Sequence, residues 1–287
     1  MSPAPAAPAK LNLCLYLGAV RDDRLHELCS VFAPISLADR LIVGDSDSGE
    51  DEVVCPGVAA PDLTARALAA LRAAGWGRAP LRIEVEKRIP IAAGLGGGSA
   101  DAAAVLRLAA DDLPAEQLAR IAAGLGADVP SQIDPRFSLV GGAGERVTPL
   151  PEPEPFALVL LPDREGLSTP AVFAEADRLG LPRDGAEIER RRAALVAAFA
   201  VGGDVRKHRE LLVNDLAVAA ISLRPSIAAA LEALEAAGAE LARVTGSGPT
   251  AFGLFGSRAA AERAAAELRA AGRQAIVARS GPGGDEA

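Results

Sequence analysis

Along residues 9–17, apolar and polar positions alternate. Leu11, Leu13, Leu15 and Leu17 fall on one face, and Lys10, Asn12, Cys14 and Tyr16 on the other. A period of two predicts a strand, and it sends Lys10 and Asn12 to the same side. Further short β-like runs occupy residues 30–36, 40–44 and 81–86. Residues 63–74 take up helical spacing, which Gly75 stops. Two helical segments follow, at 99–110 and, entered through Pro114, at 115–123; the second runs into "GLGADVPSQIDP".

The stretch "LPEPEPFALVLLP" contains four prolines, which break regular structure ahead of a new apolar strand at 156–161. A domain boundary is expected there, dividing the chain into residues 1–150 and 151–287. Helical patterns then occupy 186–200, 208–220 and 225–237, followed by strand, "TGSGP" turn, strand, helix and strand up to about residue 278. The strands cluster in pairs instead of alternating strictly with helices, so an α+β architecture is expected over a doubly wound parallel sheet. The closing "SGPGGDEA" reads as a loose tail.

Composition narrows the function. Thirty Lys and Arg against 38 Asp and Glu give a net charge of -8, which argues against a general binder of nucleic acid or acidic membrane and favours small-molecule partners. Aromatic residues are only 3% of the chain, so the core must be largely aliphatic. Cys14, Cys29 and Cys55 match neither a CxxC metal site nor a disulfide framework and read as reduced core thiols. The start "MSPAPAAPAK" has no basic segment leading into an apolar one, and no apolar run reaches the ~18 residues of a membrane span, so the cytoplasm is the expected location.

Four of the five residues from Gly94 to Gly98 are glycine, immediately ahead of an alanine-rich helical segment starting near Ser99. Bare backbone at a helix N-terminus makes a phosphate site, because unpaired N–H groups and the positive end of the helix dipole converge there. No Gly-Lys-Ser/Thr completes a P-loop, and no acidic ribose partner supports a Rossmann fingerprint. On the residues alone, a flexible connection stays open.

The run "PIAAGLGGGSADAAAVL" resembles the signature loop of the GHMP kinase superfamily. Three further stretches carry the resemblance from one end of the chain to the other: "APAKLNLCLYL" with "HEL" after it, "LGADVP", and "VTGSGPTAFGLF". The opening stretch and "LGADVP" together resemble the branch acting on a cytidine diphosphate-linked methylerythritol.

The resemblance implies two lobes, the first like ribosomal protein S5 and the second ferredoxin-like, with the active site between them. It also implies ATP and magnesium as cofactors and a small-molecule alcohol as partner. Pro90, Ile91, Ala92, Ala93, Gly94, Leu95, Gly96, Gly97, Gly98, Ser99 and Ala100 would hold ATP, with the Ser99 hydroxyl near a phosphate or its magnesium. Lys10 and Asp128 would be catalytic, the aspartate facing the acceptor hydroxyl and the lysine beside it. Asn12, His26, Ser168 and Thr169 would bind the acceptor, His26 at the cytosine ring.

Without the resemblance, Asp128 reads as a turn or cap residue and Lys10 as a solvated strand residue. His208 reads as a surface residue, and "IERRRAAL" as a solvated helix face. Two departures from the family pattern matter. Its Asp-Gly-Tyr-His reads Asp23-Arg24-Leu25-His26 here, so the stacking tyrosine is replaced by leucine. Base stacking on aromatic side chains is worth ~1–3 kcal/mol, and Tyr16, Phe32 and Phe173 are the candidates to supply it. After "ADVP", Ser131 and Gln132 stand where the family has bulky apolar residues. Another small alcohol such as homoserine, mevalonate or a sugar, or a non-catalytic nucleotide-binding role, remains the alternative.

Overall fold

Strand β1 (Ala7–Val20) is buried on both faces along most of its length, and register shifts between Asn12 and Cys14 and between Leu17 and Val20 interrupt its alternation, so both faces meet packed surroundings instead of core and solvent. The computed structural model, which describes residues 6–163 and 165–282, places this strand at the centre of the molecule. Leu11 and Leu13 enter a core shared with the second half of the chain, and Leu15 and Leu17 pack with Val172, Leu216 and Ala219.

β1 pairs antiparallel with β2 (His26–Asp45). The two short runs expected at 30–36 and 40–44 are one 20-residue strand. The residues that looked like a break between them are engaged elsewhere. Ser36 Oγ accepts from Arg279 N, and the buried Asp39 carboxylate accepts from Arg88 N and Ile89 N. The sheet continues through β3 (Glu52–Val54), β4 (Leu81–Glu86), β5 (Ser138–Gly142) and β6 (Arg146–Pro149), in the order β3-β4-β2-β5-β6 with β1 also on β2.

Helices α1 (Leu63–Ala73), α2 (Gly97–Arg107), α3 (Ala115–Leu125) and α4 (Val129–Ile133) cover this sheet. Asp62 caps α1 by accepting from Ala65 N. α2 begins two residues earlier than the alanine pattern indicated, because Gly96 itself ends the loop at φ +71° and Ala100 N already donates to Gly96 O. Its alanine face packs with Leu68, Leu71, Ile83 and Val85. Small side chains therefore let α2 lie close to its neighbours.

The second half builds β7 (Ala157–Leu161), α5 (Thr169–Arg178), α6 (Gly185–Ala198), α7 (Ala217–Leu223), α8 (Ser226–Ala236), β8 (Leu241–Val244), β9 (Ala251–Phe255), α9 (Arg258–Ala270) and β10 (Ile276–Arg279). Its sheet runs β10-β7-β9-β8, every neighbouring pair antiparallel. That is the split order of a ferredoxin-like sheet, and the expected α+β class holds.

The helix expected at 208–220 is not there. A short 3-10 turn, Val205–His208, is followed by irregular chain up to α7. Asn214 donates to Val244 O and Gly246 O, and Asp215 accepts from Leu17 N and Arg183, so the polar residues that would cross a helix interior hold tertiary bonds instead. His208 is half-buried with its ring edge-on to Phe199, not a plain surface residue. One cluster joins Leu11 and Leu13 to Phe156, Leu195, Phe199 and Phe252, so the two sheets share a continuous core. The tail expected at the C-terminus lies, from residue 283 on, outside the described residues. Among the described residues, no single helix is long and apolar enough to cross a membrane.

Candidate functional site

Two cavities, of about 630 and 460 Å³, meet at the glycine loop and share Gly94, Gly96, Ser99 and Thr169 as lining. Both fall in the size range of small-molecule sites. Lys10 and Asn12 enter the larger cavity from β1, Ser30 and Phe32 from β2, Asp128 from the start of α4, and Gly246 and Ser247 from the turn between β8 and β9.

Lys10 is 6% exposed, and a buried ammonium needs partners. Its Nζ donates to Asn12 Oδ1 at 2.6 Å, pairs with Asp128 Oδ2 at 3.2 Å, and stands 4.6 Å from the centre of the Phe32 ring. Asn12 is fixed in turn: its amide donates to Ser30 Oγ, and its backbone N–H donates to Thr245 Oγ1. The period-two spacing of the strand therefore produces a supported cation, and Asp128 remains partly open to the cavity.

The smaller cavity is lined by Pro90, Ile91, Ala92, Ala93, Gly94, Leu95, Gly96, Gly97, Gly98 and Ser99. The loop is pinned on two sides. Lys10 N donates to Leu95 O, and a Cβ on Gly94 would come within 2.6 Å of Gly248 O, so the loop touches the β8–β9 turn through bare backbone. Ala100, expected with this group, is buried in the α2 core and does not line either cavity.

At the back of this cavity, Lys87 pairs with both Asp39 and Asp101, the latter at 2.8 Å. Burial works against the Lys87 ammonium, but Asp101 and Asp39 outweigh it and raise its pKa. One ammonium cannot neutralise two carboxylates. Asp39 also accepts two backbone N–H groups, whereas Asp101 Oδ1 has no partner, so burial, with Asp39 nearby, pushes the Asp101 carboxyl up to about 7.

Matches to the family models for the GHMP kinases N terminal domain, over residues 62–142, and the GHMP kinases C terminal, over residues 192–274, cover both sides of this site. The chain is 42% identical to the 4-diphosphocytidyl-2-C-methyl-D-erythritol kinase of Streptomyces coelicolor, across 95% of this chain and 94% of that one. The chain belongs to the GHMP kinases.

As a GHMP kinase it is an ATP-dependent enzyme acting on a small molecule. A crystal structure of a 4-(cytidine 5'-diphospho)-2C-methyl-D-erythritol kinase superposes with a TM-score of 0.76 at 34% identity, covering 97% of this chain and 99% of that one. A mevalonate kinase from L. major, at 15% identity and TM-score 0.68 with 98% and 96% covered, shares the fold.

The remaining expected residues divide. His26 and Thr169 line the larger cavity of this kinase, and Thr169 Oγ1 lies 2.9 Å from Ser247 Oγ. Ser168 is exposed ahead of α5 and lines neither cavity. Of the three aromatics proposed to replace the tyrosine at Leu25, Phe173 lies against His26 with ring centres 5.1 Å apart, and Phe32 is also in the cavity. Tyr16 is fully buried with its hydroxyl donating to Leu211 O, which removes it from the site. Arg190 pairs with Glu187 at the surface, but Arg191 stands over the buried Tyr16 ring and Arg192 reaches Glu27 on β2, so the face expected to be solvated is partly packed.

Ser131 Oγ donates to Asp128 O, while the buried Gln132 amide nitrogen has no partner among the described atoms. Cys14 and Cys29 are buried free thiols and Cys55 is partly buried. Burial pushes the Cys55 thiol, in the smaller cavity, up to about 11, which keeps it protonated and poorly nucleophilic.

Asp177, Ser247 and Thr245 were missed. Thr169, Phe173 and Asp177 recur at i, i+4 and i+8 on α5, a one-face stripe that would have nominated Asp177 once Thr169 was in hand.

Proposed function

We propose that this kinase transfers the γ-phosphoryl group of ATP to the 2-hydroxyl of 4-diphosphocytidyl-2-C-methyl-D-erythritol, in the cytoplasm, as a step of isoprenoid precursor synthesis by the non-mevalonate route. The observation that carries the reading is the Lys10–Asp128 pair in the larger cavity, whose lining is continuous with that of the smaller one at Gly94, Gly96 and Ser99. ATP occupies the smaller cavity with its phosphates on the glycine loop, and the acceptor occupies the larger one. In-line transfer requires the two to meet, and the loop is where they do.

Each side chain has a role that follows from its partners. Asp128 accepts the hydrogen of the acceptor hydroxyl and aims its oxygen at the phosphorus, while Lys10 holds the carboxylate in place and offsets charge on the transferring group. Asn12 keeps Lys10 directed at Asp128. The loop from Pro90 to Ser99 supplies backbone N–H groups to the phosphates, and Thr169 with Ser247 closes the junction.

The magnesium that accompanies ATP neutralises phosphate charge when bound. Among the described residues there is no cluster of three or more His, Cys, Asp or Glu fit for a metal, and Ser99 lines both cavities. The residues present suit a cation carried mainly by the phosphates, with Ser99 Oγ as a protein ligand.

Release of ADP from magnesium-ATP, measured with the cytidyl alcohol and in parallel with mevalonate and homoserine, tests the reading. Turnover confined to the cytidyl alcohol is expected. Turnover with another acceptor would replace the substrate, and tight ATP binding without turnover on any acceptor would overturn the enzyme reading.

A further inference from the structure

The larger cavity runs along β2. Phe32, against Lys10, lies six residues from His26, which at ~3.3 Å per residue is about 20 Å of strand. His26 therefore stands well away from the phosphoryl-transfer pair, at a place where a second part of the acceptor must be bound. There its imidazole is nearly enclosed, with a side chain 9% exposed, and it lies against Phe173 while Leu25 and Arg24 form the adjoining wall. An aromatic face beside an imidazole edge suits a planar heterocycle.

Asp177, on the last turn of α5, lies with Oδ1 2.8 Å from His26 Nε2. An ionised carboxylate only accepts hydrogen bonds, so Nε2 carries the hydrogen whether the ring is neutral or charged. In the neutral ring this leaves Nδ1 bare, as an acceptor. The other acidic residue on that turn, Glu175, is occupied by Arg178 and Ser222, which leaves Asp177 as the carboxylate directed at the imidazole.

We propose that Asp177 is a positioning residue for base recognition: it fixes the His26 tautomer so that Nδ1 accepts from an exocyclic amino group and rejects a carbonyl oxygen at the same place. This deepens the cytidine-linked reading above and rests on it. An amino pyrimidine offers a donor to Nδ1, whereas its keto counterpart sets two acceptors against each other. A site with a fixed acceptor discriminates because the wrong ligand leaves a buried polar group unpaired.

Asp177→Asn keeps the shape but removes the lock, since an amide presents either a donor or an acceptor to Nε2. Two measurements on the full chain decide the matter. The chain has 2 histidines, so nitrogen-15 NMR of the imidazoles shows two ring systems, and His26→Gln assigns them. With the ring neutral, His26 of the unaltered protein is expected as the Nε2–H tautomer, and Asp177→Asn as a mixture. The ratio of kcat/KM for the cytidine-linked acceptor over its uridine-linked analogue is expected to fall about tenfold or more in Asp177→Asn. The change should appear in the KM of the acceptor, with kcat and the KM of ATP moving less than about threefold.

An unaltered protein with an Nδ1–H or mixed tautomer, or a base ratio that Asp177→Asn leaves unchanged, would overturn the proposal. Absence of turnover with either nucleotide-linked acceptor would instead overturn the substrate reading, and the tautomer measurement would still judge Asp177.

Discussion

Lys10 Nζ stands 3.2 Å from Asp128 Oδ2, an ion pair that joins the first strand of the chain to the segment leading into α4. The lysine is buried and the aspartate partly open, so the cation is held by the fold and the carboxylate lines the larger cavity. Lys10→Met keeps the aliphatic stem and removes the charge. It is expected to lower kcat by about two to four orders of magnitude, while stability falls by only ~1–3 kcal/mol, because the buried Asn12 Oδ1 loses its donor. Steady-state kinetics beside thermal denaturation check both halves, and a large loss of stability would assign Lys10 a structural role.

The contact between Gly94 and the β8–β9 turn leaves no room for a side chain. Gly94 has φ +74°, and a Cβ there would meet Gly248 O at 2.6 Å. The left-handed backbone alone costs an alanine ~1–2 kcal/mol, and relief of the clash requires two loops to separate. Gly94→Ala is expected to lower the melting temperature and weaken ATP binding together. Gly124, on α3, has nothing within 4 Å of its added Cβ, so Gly124→Ala should stabilise by roughly 0.5–1 kcal/mol with ATP affinity unchanged.

Arg24 takes φ +66° in the turn where the family pattern has glycine. An L side chain is strained in that region, so Arg24→Gly is expected to stabilise the fold by about 1 kcal/mol, seen as a rise of about 2 °C in melting temperature. A fall would show that the Arg24 side chain contributes more at the cavity wall than its backbone costs.

Asp101 gives the fold a pH dependence with a defined sign. Its carboxyl is raised from 3.8 to about 7, first by burial and then by Asp39. A raised pKa means the folded state holds the proton more tightly. The stability this contributes is complete below about pH 4 and is lost as pH rises towards and through 7. Asp101→Asn removes the titration, so the stability of the unaltered protein relative to the variant should fall between about pH 4 and pH 7 and level off above that. A difference independent of pH would contradict the assignment.

Much of this site was legible because its chemistry is written in local pattern. Lys10 and Asn12 share a face through strand alternation, β4 matches its alternating run, and the glycine run does lie at a helix start between two cavities. What escaped the sequence depends on distant partners. Asn214 and Asp215 look like interior residues of a helix until Val244, Gly246, Leu17 and Arg183 are seen to hold them. Tyr16 reads as a cavity residue by alternation, yet Leu211 O draws its hydroxyl into the core. Asp177 is one surface acid among many until it meets His26, 151 residues away in the chain. Ser168 and Ala100 are the reverse case, where motif membership carried over and geometry did not.

The most direct test of the account is the Asp128→Asn variant, assayed for phosphorylation of the cytidyl alcohol by magnesium-ATP beside thermal denaturation and an ATP titration. The account predicts a fall in kcat of about two orders of magnitude or more, with ATP affinity and melting temperature near those of the unaltered protein. Retention of most of the activity would contradict it, because the carboxylate paired with Lys10 would then take no part in the transfer.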